Sequence, residues 1–179
     1  MRTLLFFCLL LSYPLAQGDD PMAPLLKKLE DSHWVAVGSE QPERIAYLFD
    51  DMQCPYCVQL WHSMAPLLDD DRNTLQVRHI LVGLINPNTS LTTAAAVLAD
   101  DHPAQRLAEH KERFSEGGIA PLSPVPDTLR DAIRENTVLM IGLGLAGTPT
   151  LIFQDSEQRW RVAPGLISEG ALRQQVFQF

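Results

Sequence analysis

The sequence predicts an α/β fold in which a block of helices separates two halves that contain strands. Short apolar runs bounded by turn residues alternate with longer segments of helical spacing, as in α/β domains. A stretch from about residue 88 to 147 carries helical patterns only and forms the predicted insertion. The predicted strands are residues 45–49, 75–84, 150–153 and 159–163, with a further strand or extended segment at 33–38.

The helices are placed by their apolar spacing and by the residues at their ends. Pro55 suits the first position of a helix, where its missing N–H would be unpaired anyway, and Pro66 is expected to kink or end the same helix. Asp127 and Ser168 are candidate N-caps for the helices that they open. The predicted helices are residues 24–32, 55–68, 91–100, 103–114, 127–143 and 168–176.

Composition and charge restrict the class of protein. The chain has 179 residues, of which 46% are hydrophobic and 20% charged, which suits one domain with a hydrophobic core. Its net charge of -8 argues against general nucleic-acid binding, which needs a basic face.

The first residues have the pattern of a secretory signal peptide. Arg2 precedes an apolar run at 4–11, and Gly18 marks a small-residue cleavage region. The run is short for a membrane span, which takes about 20 residues. Cys8 lies inside it, so export leaves two of the three cysteines. The predicted organisation is a signal peptide at 1–18, a short linker with a lead-in helix at 19–38 and the folded domain at 39–179.

The motif Cys54-Pro55-Tyr56-Cys57 carries the predicted chemistry. A cysteine that opens a helix has unpaired N–H groups and the positive end of the helix dipole aimed at its sulfur, which stabilises the thiolate. Cys54 is therefore the expected nucleophile, and Cys57, one turn further on, would resolve the mixed disulfide. The loop between them is too small to stabilise the fold much as a disulfide. The neutral Tyr56 predicts an intermediate reduction potential, and the pair needs no added cofactor.

A zinc site is the alternative for this motif, with Cys54, Cys57 and His62 as ligands. Closed zinc sites normally take four protein ligands, often as two pairs. The chain has no second cysteine pair, and its other histidines lack paired spacing. The sequence therefore favours a redox pair without a metal.

The element order is strand, CxxC helix, strand, helical block, Thr-Pro strand, strand and helix, which is a thioredoxin-like layout with a helical insertion. In that layout Pro149 faces the cysteines through a cis peptide bond, and Thr148 offers its backbone to an extended substrate. An ordinary loop proline is the alternative. Asp50 and Asp51 precede the motif, and either carboxylate is a candidate proton relay to Cys57. Solvated turn residues are the commoner outcome for such a pair.

These residues resemble the DsbG/DsbC family of bacterial periplasmic thiol:disulfide interchange proteins, and DsbG more closely. The resemblance runs from about residue 33 to the end of the chain. It implies action on exported proteins in the periplasm, with a membrane reductant of the DsbD type as partner. The matching motifs are Phe49-x-Asp51-x-x-Cys54-Pro55-Tyr56-Cys57, Leu81-Val82-Gly83, Ala94-Ala95-Ala96 and Asn136-x-x-Leu139-Met140-x-x-Leu143-Gly144-x-x-Gly147-Thr148-Pro149.

Family members carry an N-terminal dimerisation domain and a linker helix before the catalytic domain. Only residues 21–32 lie between the predicted signal peptide and the first extended segment here, so we expect a monomer. The favoured function is a reductase or isomerase-like enzyme. A disulfide-forming oxidase that uses the same pair, and a non-enzymatic protein-binding or metal-binding module, are the alternatives.

Overall fold

The computed structural model describes residues 22–179, which form a five-stranded mixed sheet with helices on both faces. The predicted signal peptide and Cys8 lie outside these residues. The strands are β1 (Trp34–Gly38), β2 (Arg44–Asp51), β3 (Leu75–Val82), β4 (Thr150–Gln154) and β5 (Trp160–Pro164). The helices are α1 (Ala23–Glu30), α2 (Pro55–Leu68), α3 (Pro87–Leu98), α4 (Pro103–Glu112), α5 (Asp127–Gly142) and α6 (Glu169–Ala171), with a 3₁₀ turn at Phe114–Glu116. The last helix continues with π-helical geometry over Leu172–Phe177.

The sheet has the order β1-β3-β2-β4-β5. Strands β2 and β3 are parallel and are joined through α2, whereas the other three pairs are antiparallel. Two parallel strands need a crossover connection, and α2 supplies it. Helices α3, α4 and α5 all lie between β3 and β4 in the chain, so the predicted helical insertion is confirmed.

Alternation along the central strands decides which side chains meet α2. In β2, Ala46 and Leu48 pack in the cluster that contains residues of α2 and of the C-terminal helix. Tyr47 and Phe49 pack on the opposite face with α1 and α5. Because successive strand residues point to opposite faces, Asp50 continues the row of Ala46 and Leu48 beneath α2.

One helix keeps its predicted bounds, and one predicted helix cap is wrong. Pro66 lies inside α2, which ends two residues later at Leu68, as predicted. The proline removes only one hydrogen bond near the end of the helix, and Leu67 and Leu68 remain buried in the core. Asp127 is not an N-cap: it is the first residue of α5, after the extended Pro126, and its carboxylate pairs with Arg130.

The start of the folded region also lies earlier than predicted. Strand β1 pairs with β3 along its whole length, so it belongs to the sheet and not to a linker that ends at residue 38. Ser168 caps the last helix as predicted, because its hydroxyl accepts a hydrogen bond from the Ala171 N–H. Among residues 22–179, every helix is too short or too polar to cross a membrane.

Candidate active site

Cys54 occupies the N-cap of α2, three residues beyond the end of β2. Its backbone is extended, with φ of -91° and ψ of 111°, and Pro55 begins the helix as predicted. The Cys57 N–H donates a hydrogen bond to the Cys54 sulfur over 3.2 Å. Both cysteines are buried free thiols, while the Tyr56 side chain between them is 59% exposed. The fold therefore holds one sulfur where an otherwise unpaired helix N–H can stabilise its anion.

The pKa values of the two thiols are shifted in opposite directions. The hydrogen bond from the Cys57 side chain, helped by Thr148 and by the Cys57 N–H, lowers the pKa of Cys54 to about 6. Burial raises the pKa of Cys57 far above its usual value, and the bond to Cys54 and the charge of Asp50 add to that shift. Cys54 therefore loses its proton more readily than Cys57, which is the order that the predicted roles of nucleophile and resolving thiol require.

We expect the alkylation of Cys54 by iodoacetamide to be half-maximal near pH 6, because only the thiolate reacts. Cys57→Ala removes the largest cause of the lowered pKa, so its inflection should move up towards the ordinary value of 9.0. Rates measured across the pH range, with mass spectrometry to locate the label, test this. An unchanged inflection in Cys57→Ala would contradict the assigned cause.

The loop before β4 covers the Cys54 sulfur. The peptide bond between Thr148 and Pro149 is cis, as expected for a thioredoxin-like layout. The Cys54 thiol donates to the Thr148 carbonyl over 3.3 Å, and the Thr148 hydroxyl is buried without a hydrogen-bond partner. The Gly165 N–H donates to the Pro149 carbonyl, which ties the loop to the end of β5. The predicted grouping of the cysteines with Thr148 and Pro149 is therefore present in the fold.

Asp50 lies in a buried ionic cluster beneath α2 rather than in a solvated turn. Its two carboxylate oxygens accept hydrogen bonds from the Lys111 ammonium (2.6 Å) and from His79 Nδ1 (3.0 Å). Burial alone would raise the pKa of Asp50, but the Lys111 charge and the His79 hydrogen bond outweigh it and hold the pKa well below its usual range. Asp50 is thus an ionised carboxylate whose charge acts on Cys57.

Asp51 has a different role from Asp50. Its carboxylate accepts hydrogen bonds from the backbone N–H groups of Gln53, Leu84 and Ile85 and from the Ser90 hydroxyl, at 2.7–2.9 Å. These four donors occupy the carboxylate and fix the loop between β3 and α3 against the start of the motif. The expectation that both aspartates are solvated turn residues is wrong, since both are buried.

Three consecutive residues at the end of α4 form hydrogen bonds to residues on either side of the cysteine motif. These three residues were not predicted from the sequence. His110 donates from Nε2 to the Met52 carbonyl (2.7 Å), Lys111 pairs with Asp50, and Glu112 accepts from Trp61 Nε1 (3.2 Å). One signal was available in the sequence. Lys111 lies four residues after the buried Leu107, so helical spacing puts it on the apolar face of α4.

The packing of the His110 ring can be tested by a substitution at a neighbouring glycine. A Cβ at Gly118, where φ is +74°, would lie 2.4 Å from His110 Nδ1. Gly118→Ala should therefore strain the backbone by about 1 kcal/mol and add about 1–3 kcal/mol from displacement of the ring. Gly117→Ala is the matched control, because its φ is +100° and its Cβ would meet nothing within 4 Å. Urea unfolding of both variants measures the difference, and equal destabilisation would exclude a role for the His110 contact.

The candidate zinc ligand His62 lies on the exposed side of α2, 3.6 Å from Glu112. Within residues 22–179, no group of three or more His, Cys, Asp and Glu side chains is arranged to hold a metal ion.

Comparison with known proteins identifies the family of the domain and relatives of similar sequence and fold. The model of the Thioredoxin-like domain family matches residues 33–179. The chain is 34% identical over 147 residues to the thiol:disulfide interchange protein DsbG of Pseudomonas aeruginosa, covering 80% of this chain and 56% of that protein. It is 32% identical over 146 residues to DsbG of Escherichia coli, covering 82% and 58%. The chain thus spans a little over half the length of these two curated relatives.

Solved structures with the same fold include a periplasmic thioredoxin-like protein from Salmonella enterica serovar Typhimurium, with a TM-score of 0.67 and 20% identity over 84% of this chain and 92% of that one. The catalytic domain of Proteus mirabilis ScsC gives a TM-score of 0.69 at 16% identity, covering 88% and 94%. The thiol-disulfide exchange protein alpha-DsbA2 from Wolbachia pipientis gives 0.65 at 18% identity, covering 86% and 90%.

Proposed function

The chain belongs to the Thioredoxin-like domain family, and we propose that it is a thiol:disulfide oxidoreductase that acts on exported proteins in the periplasm. The observation that carries the proposal is the Cys54 sulfur at the N-cap of α2, which accepts the Cys57 N–H and faces the cis Thr148–Pro149 bond. The likeness to DsbG and the predicted signal peptide support the substrate class and the location.

In the reducing direction, the Cys54 thiolate attacks one sulfur of a substrate disulfide. A mixed disulfide forms, and the other substrate sulfur leaves as a thiolate. Cys57 then loses its proton and attacks the Cys54 sulfur, which releases the second substrate thiolate and closes the Cys54–Cys57 disulfide. Two electrons pass from the pair to the substrate, so each cycle needs a reductant. We propose a DsbD-type membrane protein for that role.

In this proposal, the loop before β4 that contains the cis Thr148–Pro149 bond forms the binding site for the substrate. The Thr148 carbonyl contacts the Cys54 thiol, so a substrate sulfur that approaches Cys54 displaces this contact. The exposed Tyr56 offers an apolar and hydrogen-bonding surface beside it. We propose that Thr148 pairs with an extended substrate strand while Pro55, Tyr56 and Pro149 line the contact.

An oxidase that uses the same residues is the second candidate, and the lowered pKa of Cys54 favours it. Stabilising the thiolate stabilises the reduced pair, which makes the disulfide a stronger oxidant. The reductase remains our first proposal because the intervening Tyr56 adds no positive charge near the sulfur.

Insulin reduction with dithiothreitol as electron source tests the enzyme, and Cys54→Ala is its control. We expect activity in the wild type only, and equal rates in both would exclude catalysis by Cys54. Trapping the cysteines in the periplasm with an alkylating reagent separates the two directions. A mainly reduced pair supports the reductase, whereas a mainly oxidised pair supports the oxidase.

A further inference from the structure

The last two turns of α5 expose two large apolar side chains. Val138 is 68% exposed and Ile141 is 61% exposed, and a spacing of three residues puts both on one face of the helix. Beside them, α5 and α1 enclose a groove of about 540 Å³ that is lined in part by the half-buried Leu139 and Leu143. The residues proposed for disulfide exchange do not line this groove, so its apolar surface needs a separate explanation.

Gly142 leaves the groove open at the last residue of α5. Its backbone is helical, so a side chain at this position would cause no strain. A Cβ added there would contact nothing within 4 Å in the described part of the chain beyond its own turn of helix. Glycine is less favourable than alanine in a helix, because it loses more backbone freedom on folding. Backbone conformation and packing within residues 22–179 therefore do not require glycine here, whereas its bare backbone lets a second molecule approach closely.

The charges that line the groove are balanced. Lys28 and Arg134 contribute two positive charges, and Asp131 and Glu135 contribute two negative charges. Arg134 and Asp131 are 3.9 Å apart and mostly exposed, so both are able to pair with groups on another molecule. A docking surface for an acidic or a basic partner carries an excess of the opposite charge, and this groove carries none. A balanced face is instead complementary to itself, even though the whole chain has a net charge of -8.

We propose that this groove, with Val138 and Ile141, is a self-association face through which two copies of the chain form a dimer. A two-fold contact uses the same face twice, so Ile141 of each copy enters the groove beside Gly142 of the other. Val138 then lies in an apolar centre, and the balanced charges form a polar rim. The monomer expected from the sequence followed from the N-terminal region alone, whereas this face is formed by α1 and α5.

Sedimentation velocity of the purified protein over a wide range of concentration tests the proposal. We expect the wild type to shift from monomer to dimer as its concentration rises. Val138→Glu puts a charge in the apolar centre and should raise the dissociation constant by about 30-fold or more, as the loss of a central anchor does. Val162→Glu is the matched control, because Val162 is an exposed valine on β5. Its dissociation constant should stay within about threefold of the wild type.

Gly142→Leu separates an effect on the face from an effect on the fold. The leucine side chain fills the groove and should weaken the dimer about as much as Val138→Glu does. Leucine also suits a helix better than glycine, so resistance to urea should not fall. A dimer that both Val138→Glu and Gly142→Leu leave intact would overturn the proposal, since it would form through another surface.

Arg134→Glu tests the balance of charge. It gives each groove an excess of negative charge, so the dissociation constant should rise about tenfold or more. Arg72→Glu changes the net charge of the chain equally, but Arg72 lies outside the groove and its substitution should have a much smaller effect. Equal effects of the two variants would contradict a contact at this face. A wild type that stays monomeric at every concentration would overturn the proposal and leave the groove to a different occupant, such as an unrelated apolar protein.

Discussion

Replacing Cys54 with serine should lower the rate of insulin reduction by about 10³-fold or more, because a hydroxyl cannot replace a thiolate as nucleophile. The fold should survive, since serine is close to cysteine in volume and still accepts the Cys57 N–H at the N-cap. Circular dichroism checks the fold, and turbidity of reduced insulin measures the activity. A Cys54→Ser variant with more than a tenth of wild-type activity would contradict the assigned nucleophile.

Cys57→Ser is the matched variant, since it leaves Cys54 free to attack but removes the resolving thiol. We expect it to accumulate a mixed disulfide with the substrate, seen as a slower band on a non-reducing gel that a reductant removes. Cys54→Ser should give no such band. Adducts in the reverse pattern would exchange the roles of the two cysteines.

The sequence was sufficient to predict the elements that carry the two cysteines. Pro55 and the apolar spacing after it placed α2 at its observed bounds, and the short apolar runs located all five strands to within a few residues. Such elements follow from local patterns. Pro66 lies two residues before the end of α2, where the burial of Leu67 and Leu68, a tertiary effect, outweighs the one helical hydrogen bond that the proline removes.

The buried cluster beneath the motif could not be predicted in the same way. Lys111 lies 61 positions after Asp50 in the chain, and His79 lies 29 positions after it. A charged residue is usually exposed, and nothing local shows that Lys111 has a buried partner. The pairing depends on how α4 packs against α2 and the sheet. The expectation that aspartates before the motif are solvated was therefore wrong for Asp50.

Lys111→Met should lower the free energy of unfolding by about 3–5 kcal/mol, because it leaves the buried Asp50 carboxylate without its counter-ion. Methionine fills a similar volume, so the cost is mainly electrostatic. The double variant Asp50→Asn/Lys111→Met removes both charges and should recover much of the loss. Urea unfolding of the single and double variants measures the coupling, and additive effects would contradict a buried ion pair.

Lys27→Met provides the surface control. Lys27 and Asp31 form an exposed pair, with side chains 76% and 59% accessible, so its loss should cost less than about 1 kcal/mol.

The pH dependence of stability provides a second test of the buried pair. In the wild type, the lowered pKa of Asp50 gives stability that is present above about pH 4 and is lost as pH falls. In Lys111→Met, burial should raise the folded pKa of Asp50 above its unfolded value. The destabilisation should then be largest at neutral pH and shrink as the pH falls towards 4, because protonation removes the unpaired charge.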